Sequence, residues 1–317
     1  MASDAIQFGV PLTGDGDLVE FAQTVEGLGF DSVWVGDHVL MPNGGEEGYT
    51  KLAAMAAATK HITIGARVIV LPLRHPLMNA KMATQIDIMS HGRFIYGVGI
   101  GGDYPPEFEN LQIPRNERGR RGNENLEAMM RLFHEDRVTY EGKYYQLHDV
   151  TLSPKPVQQP HPPIWMGGRA PEAVQRAAKY ADGWFPNLNT VEGLRERLQE
   201  IHRLADEAKR DISHFKVAVV ARTFIGKNHD VAHAEAAARG GPPGTRATTD
   251  WDAMVDRYAA HGTAKDIIEY LERYVAEGAT HFVFNLNADY AHSPADRLEN
   301  DLNVLAKDVF PYFRGKH

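Results

Sequence analysis

The stretch FDSVWVGDHVL, Phe30 to Leu40, decides how the rest of the chain is read. Its first half is an apolar run of the kind a chain buries as a strand. It then delivers Gly36, Asp37 and His38 where burial should end. Burying unpaired charge is costly, so the two ionisable side chains either face solvent by chance or line a cavity that uses them.

The same rhythm runs outward in both directions. Upstream, Ile6–Val10 reads as a strand and Leu18–Leu28 as a helix closed by Gly29. Downstream come a helix over Lys51–Thr59, a strand over Ile62–Leu71, a helix from Pro76 to Ser90 and a strand over Phe94–Val98. After an interruption the pattern predicts strands at Ile164–Met166, Trp184–Phe185, Lys216–Ile225 and His281–Leu286. Helices are predicted over Pro171–Ala181, Val191–Lys209, Ala264–Glu277 and Ser293–Phe310. Eight strand–helix units with near-continuous apolar strands predict an α/β fold, a TIM (β/α)8 barrel. An open doubly wound sheet is the alternative, but PLTGDGD stands where a G-x-G-x-x-G would open the first helix.

One domain is expected to span residues 1–317, with insertions after strands four and seven. The first, about 102–163, holds a helical pattern (Asn123–Phe133) and a hairpin in VTYEGKYYQL. The second, about 226–262, carries GGPPGTRATTD and reads as irregular. Long excursions of this kind serve as binding loops, ornaments or oligomer contacts.

Bulk composition narrows the function. The chain has 317 residues, 43% hydrophobic and 24% charged, enough for a sizeable core. A net charge of -8 argues against nucleic acid or an anionic membrane as partner. The absence of cysteine excludes disulfides, thiol nucleophiles and thiolate metal sites, and fits a reducing cytoplasm. Neither a signal peptide nor an apolar run of membrane-spanning length is read in the chain.

In parallel barrels the active site forms at the C-terminal ends of the strands. That rule selects Asp37 and His38 after strand two, Arg74 and His75 after strand three, and GVGIGGD (Gly97–Asp103) after strand four. It adds GGRAPE (Gly167–Glu172) after strand five, Pro186 and Asn187, Arg222, and Asn285 with Asn287. Gly167, Gly168 and Arg169 before a helix make a plausible phosphate cradle, or a tight turn. The glycines after strand four give a flat floor for a planar ring, or simply close packing. His75 is expected at a helix cap. His61, His91, His134, His161 and His292 read as surface or packing groups without metal-site spacing, and no metal is expected. Acid–base groups are few, which points to a bound cofactor carrying the difficult step. His38 is the candidate proton relay.

The segments FGVPL, EGLGFDSVWVGDHVL, ITIGARVIVLPLRHP, GRFIYGVGIGGDYPPEFENL, PKPVQQPHPPIWMGG and ADGWFP, in that order, resemble the bacterial luciferase-like flavin and deazaflavin oxidoreductases. Residues 226–262 match least. The resemblance implies a TIM barrel holding coenzyme F420 or FMN. It implies that Asp37 and His38 lie beside the reactive ring; Asp37 is expected to hold His38 in one tautomer and orientation, as carboxylates do for other working histidines. It places a non-proline cis peptide near Arg67–Val68 behind the ring, Gly99 and Gly101 near the cofactor, and the phosphate site at Gly167, Gly168 and Arg169. Sugar-phosphate dehydrogenases of the family carry a catalytic glutamate just after the glycine turn, where this chain has Gly102 and then Asp103.

The expected function is oxidoreductase chemistry: hydride transfer with F420 to or from a small organic substrate, or oxygen insertion with FMN. A cofactor-binding protein without turnover is the competing class. Tyr104, Phe108 and Tyr144 are expected to wall the substrate. A homodimer and a separate cofactor reductase are the expected partners.

Overall fold

The four residues of SVWV are all buried, as both-face coverage of a parallel strand demands. They form β2 (Ser32–Val35), which follows β1 (Gln7–Pro11) and α1 (Leu18–Gly27). The computed structural model describes residues 5–12, 17–42, 45–187, 190–239, 250–286 and 295–315. Next come α2 (Gly48–Ala58), β3 (Thr63–Ala66), β4 (Ile69–Val70), α3 (Pro76–Met89) and β5 (Phe94–Gly99). The first insertion holds α4 (Pro105–Asn110), α5 (Arg118–His134) and a hairpin of β6 (Val138–Glu141) and β7 (Gln146–Val150). The chain continues through β8 (Ile164–Gly167), α6 (Pro171–Tyr180), β9 (Gly183–Phe185), α7 (Val191–Glu207) and β10 (Lys216–Ile225). It then forms α8 (His229–Ala238), α9 (Val255–Tyr258), β11 (Ala259–Gly262), α10 (Ala264–Val275), β12 (His281–Leu286), α11 (Ala295–Val304) and α12 (Phe310–Arg314).

Strand order is β11-β10-β12-β1-β2-β3-β5-β8-β9, with β9 also pairing β10, so the main sheet closes on itself. Eight strands in this circuit, with helices between them, make the expected (β/α)8 barrel. The strand predicted over Ile62–Leu71 is broken: β3 ends at Ala66, the Arg67–Val68 peptide is cis, and β4 resumes at Ile69.

The second insertion is more regular than its composition suggested. Asn228 caps α8 by accepting from the Val231 N–H, and β11 adds to β10 in parallel, Arg222 opposite Ala259. Alanines give α8 little amphipathic signal, and β11 is four residues long, so neither stood out from the sequence. Most of GGPPGTRATTD, together with Asn287, His292 and Ser293, lies outside the described residues. No helix among the described residues is long and apolar enough to cross a membrane.

The chain divides into two compact units, residues 34–184 and residues 1–33 with 185–317. In the first, Trp34 and Trp165 pack at 5.5 Å, and Gly65 is required because a Cβ there would strike the Trp34 indole. In the second, Phe8 stacks on Phe310 at 4.3 Å between centroids and is flanked by Phe282 and Phe284. Offset aromatic pairs of this kind add about 0.5–1.5 kcal/mol beyond their buried area.

Candidate active site

Within residues 34–184 the C-terminal ends of β2, β4, β5 and β8 carry the candidate residues on neighbouring strands. Asp37 is almost completely buried, and its carboxylate is fully engaged. Oδ2 accepts from Arg74 Nη1 at 2.7 Å and from the Val70 N–H at 2.9 Å. Oδ1 accepts from Arg74 Nη2 at 2.8 Å and from the Gly48 N–H at 3.1 Å. This is a bidentate fork with two backbone donors filling the remaining lone pairs. Arg74 also donates to Glu47 Oε1 at 2.7 Å and lies over the Tyr49 ring. Burial works against the Arg74 charge, but the Asp37 hydrogen bonds and charge more than offset it and hold its pKa above the usual value.

The expectation that Asp37 orients His38 is therefore corrected. Asp37 anchors the Arg74 of the RHP segment, and the partner of His38 is Glu107. His38 Nδ1 lies 3.2 Å from Glu107 Oε2, and Glu107 Oε1 is reached by the Leu40 N–H at 3.4 Å. Glu107, on α4, is completely buried, whereas the His38 side chain is 29% exposed. A carboxylate only accepts, so Nδ1 carries the proton and the neutral ring keeps Nε2 as its acceptor. Such a ring can take a proton at Nε2 and return it.

Arg67 Nε is buried with no hydrogen-bond partner among the described residues, and burial lowers the Arg67 pKa against the opposing charge of Glu46. The Val68 side chain occupies space that Gly99 and Gly167 leave open, and the Ala66 carbonyl occupies the space beside Gly97. A Cβ on Gly99 would meet Val68 Cγ2 at 2.6 Å, one on Gly167 would meet Val68 Cγ1 at 2.9 Å, and one on Gly97 would strike the Ala66 carbonyl oxygen. Gly97 and Gly99 thus serve close packing, the second of the two readings open from the sequence.

Gly101 and Gly102 have φ of +57° and +110°, a region that favours glycine. Their carbonyls accept from Arg118 Nε at 3.2 Å and from Arg115 Nη2 at 2.6 Å. A Cβ on Gly102 would lie 2.5 Å from Arg118 Nε, so the arginine clamp occupies the place a longer residue would need. Phe108 is completely buried and faces Gly101, so it is core rather than a substrate wall.

The Gly167-Gly168-Arg169 turn leads into α6 as expected. Gly168 has a φ of +94°, and its carbonyl accepts from Trp184 Nε1 at 2.8 Å. Ala170 precedes Pro171 and gives α6 no side-chain cap, which leaves the helix N-terminus suited to an anion. Arg169 is exposed beside it. His75 caps α3, accepting from the Leu77 N–H at 3.2 Å, in keeping with its expected structural part.

Sequence reasoning missed Glu107. Its only signal was an acid in the first turn of a short proline-led helix, and nothing in the spacing from His38 announces that α4 returns to β2.

Comparison with known proteins places the chain in a family. The family model described as luciferase-like monooxygenase matches residues 9–281. The oxygenase component of a flavin-dependent trigonelline monooxygenase from Acinetobacter baylyi is 28% identical over 69% of this chain. The match takes in 62% of that enzyme's length. An F420-dependent glucose-6-phosphate dehydrogenase from Microbacterium testaceum is 27% identical over 95% of this chain and 94% of its own. The monooxygenase RslO1 from Streptomyces bottropensis superposes with a TM-score of 0.82 at 23% identity, over 97% of this chain and 100% of that one, and shares its fold. With the family model spanning most of its barrel, the chain belongs to the luciferase-like monooxygenase family of oxidoreductases.

Proposed function

We propose that the protein is an F420-dependent oxidoreductase that moves a hydride between the cofactor and a small alcohol–carbonyl pair, with His38 as the proton relay. The observation that carries this reading is the His38–Glu107 pair, which leaves Nε2 of a partly exposed imidazole as an acceptor. The end-to-end match to an F420-dependent enzyme supports F420 over a flavin, because the flavin-dependent relative matches only in part.

The residues present fit such a cofactor. The glycine turn before the uncapped α6, with Arg169, suits its phosphate, and the buried Arg67 Nε is a donor without a partner among the described residues. When bound, F420 supplies a two-electron hydride acceptor or donor at one ring carbon. In the oxidative direction His38 Nε2 takes the hydroxyl proton as the substrate carbon gives up its hydride, and a carbonyl remains. In reduction His38 returns that proton to the oxygen. Glu107 holds the ring, and Asp37 with Arg74 fixes the loop behind it.

Gly102 in place of the acid argues for a substrate other than a sugar phosphate. The proposal includes one catalytic domain acting as a homodimer, with exposed Met78 and Met89 on α3 as the pairing face. A reductase partner belongs only to the FMN alternative, where oxygen insertion replaces hydride exchange.

Side-by-side fluorescence titration with F420 and FMN tests the reading. F420 should bind more tightly, and His38→Ala should keep that binding while turnover falls about 10²–10⁴-fold. Binding of FMN alone would overturn it. A wild-type protein that binds F420 and turns over none of a panel of alcohols would instead be a carrier.

A further inference from the structure

The insertion after β10 gathers three imidazoles and a carboxylate that the proposed reaction does not use. His229 and His233 are four residues apart on α8, on one face of the helix. His261 is the third of the four residues of β11, and Asp256 comes from α9. His261 Nε2 lies 3.1 Å from His229 Nε2 and 3.1 Å from Asp256 Oδ1. One ligand atom from each of His229, Asp256 and His261 falls within 4.8 Å of the others. His233 Nε2 stands 3.7 Å from the same Asp256 oxygen, and its Nδ1 faces Asp252 Oδ1 at 3.7 Å.

The hydrogen bonding around His261 sets its tautomer. The side chain is only 6% exposed, and Nδ1 lies 3.1 Å from the Ala259 carbonyl oxygen, which can only accept. Nδ1 therefore carries the proton, and in the neutral ring Nε2 presents a lone pair to the Asp256 carboxylate and the His229 ring. Two acceptors facing each other at hydrogen-bond distance need a proton or a metal ion between them. A backbone carbonyl on Nδ1 is also the arrangement that orients metal-ligating histidines, and the Asp252 carboxylate lies on the Nδ1 side of His233.

We propose that His229, His233, Asp256 and His261 form a binding site for a zinc-class divalent transition metal. Tetrahedral zinc with bonds of about 2.0–2.1 Å holds its donors about 3.3 Å apart, close to the two 3.1 Å separations seen. A small side-chain rotation brings His233 in as the fourth donor. The bound ion ties α8 to α9 and to the end of β11. The apolar core of this insertion is small, Phe224, Ala236, Trp251, Val255 and Ala259, so such a tie is a substantial part of its cohesion. Hard cations such as magnesium are disfavoured by imidazole donors.

The test is titration of tag-free, chelator-stripped full-length protein with zinc chloride, by calorimetry and by elemental analysis after desalting. One equivalent should bind with Kd below about 1 µM, and cobalt(II) should give the absorption of a tetrahedral site. His229→Ala and His233→Ala are partly exposed changes that keep the fold, and each should weaken binding at least about tenfold. Zinc should raise the melting temperature of the wild type and not of His229→Ala. Binding without fixed stoichiometry, or equal affinity in the wild type and His229→Ala, would overturn the site and leave the histidines as surface ion pairs. No step of this test uses F420 or turnover, so its outcome is independent of the proposed function.

Discussion

Glu107 Oε2 meets His38 Nδ1 at 3.2 Å although 69 residues separate them in the chain. The acid is wholly buried and the imidazole partly exposed, so the pair presents one working nitrogen outward and keeps its support inside. Support of this kind acts through the histidine rather than on the substrate.

Glu107→Ala should therefore lower kcat by about 10–100-fold while cofactor affinity stays near the wild-type value. Glu107→Gln, whose carbonyl still accepts from Nδ1–H, should recover much of the loss. Steady-state kinetics with a parallel cofactor titration separates this from a folding defect, which would lower both quantities.

Removing the other buried pair has a different cost. Arg74→Ala leaves the Asp37 carboxylate buried with only the Val70 and Gly48 N–H groups. A loss of about 3–5 kcal/mol is expected in urea unfolding. Arg74→Lys should recover only part of it, because an ammonium cannot reproduce the fork.

Acid stability should depend on His281. Its ring lies between Ser32 Oγ, 2.6 Å from Nε2, and Gln7 Oε1, 3.1 Å from Nδ1, and burial pushes its pKa from 6.5 down to about 3. The unfolded chain takes up a proton near pH 6.5 that the folded chain refuses until about pH 3. Stability is thus lost as pH falls through that window, on the order of 3 kcal/mol by pH 4. Asp301, raised from 3.8 to about 6 by burial against the pull of Arg297, contributes with the opposite sign between those values. The denaturation midpoint of His281→Gln, followed from pH 7 to pH 4, should fall less steeply than that of the wild type.

Two glycine substitutions should move stability in opposite directions. Gly97→Ala drives a methyl group into the Ala66 carbonyl and should cost about 1–3 kcal/mol or more. Gly27→Ala, at the exposed end of α1 with nothing within 4 Å, should gain about 0.5–1 kcal/mol. Thermal unfolding of both variants checks the pair.

The barrel was legible because its strands are short apolar runs buried on both faces, and Lys216–Ile225 and His281–Leu286 match residue for residue. His38 was legible because it ends such a strand. Its partner was not, since tertiary return of a six-residue helix leaves no local pattern. Asp37 was misassigned for a related reason: adjacency in sequence suggested contact, whereas consecutive side chains leaving an extended segment point to opposite faces. The α8–β11 region escaped notice because alanine forms helices without marking a buried side.

Val68 fills volume released by Gly99 and Gly167, and so makes the three positions a single steric unit. Drift at any one of them is constrained by the other two: an added methyl on either glycine becomes tolerable only after valine shrinks, and a smaller residue at 68 opens a void until a glycine grows. Among natural variants of this chain, these sites should change together or not at all.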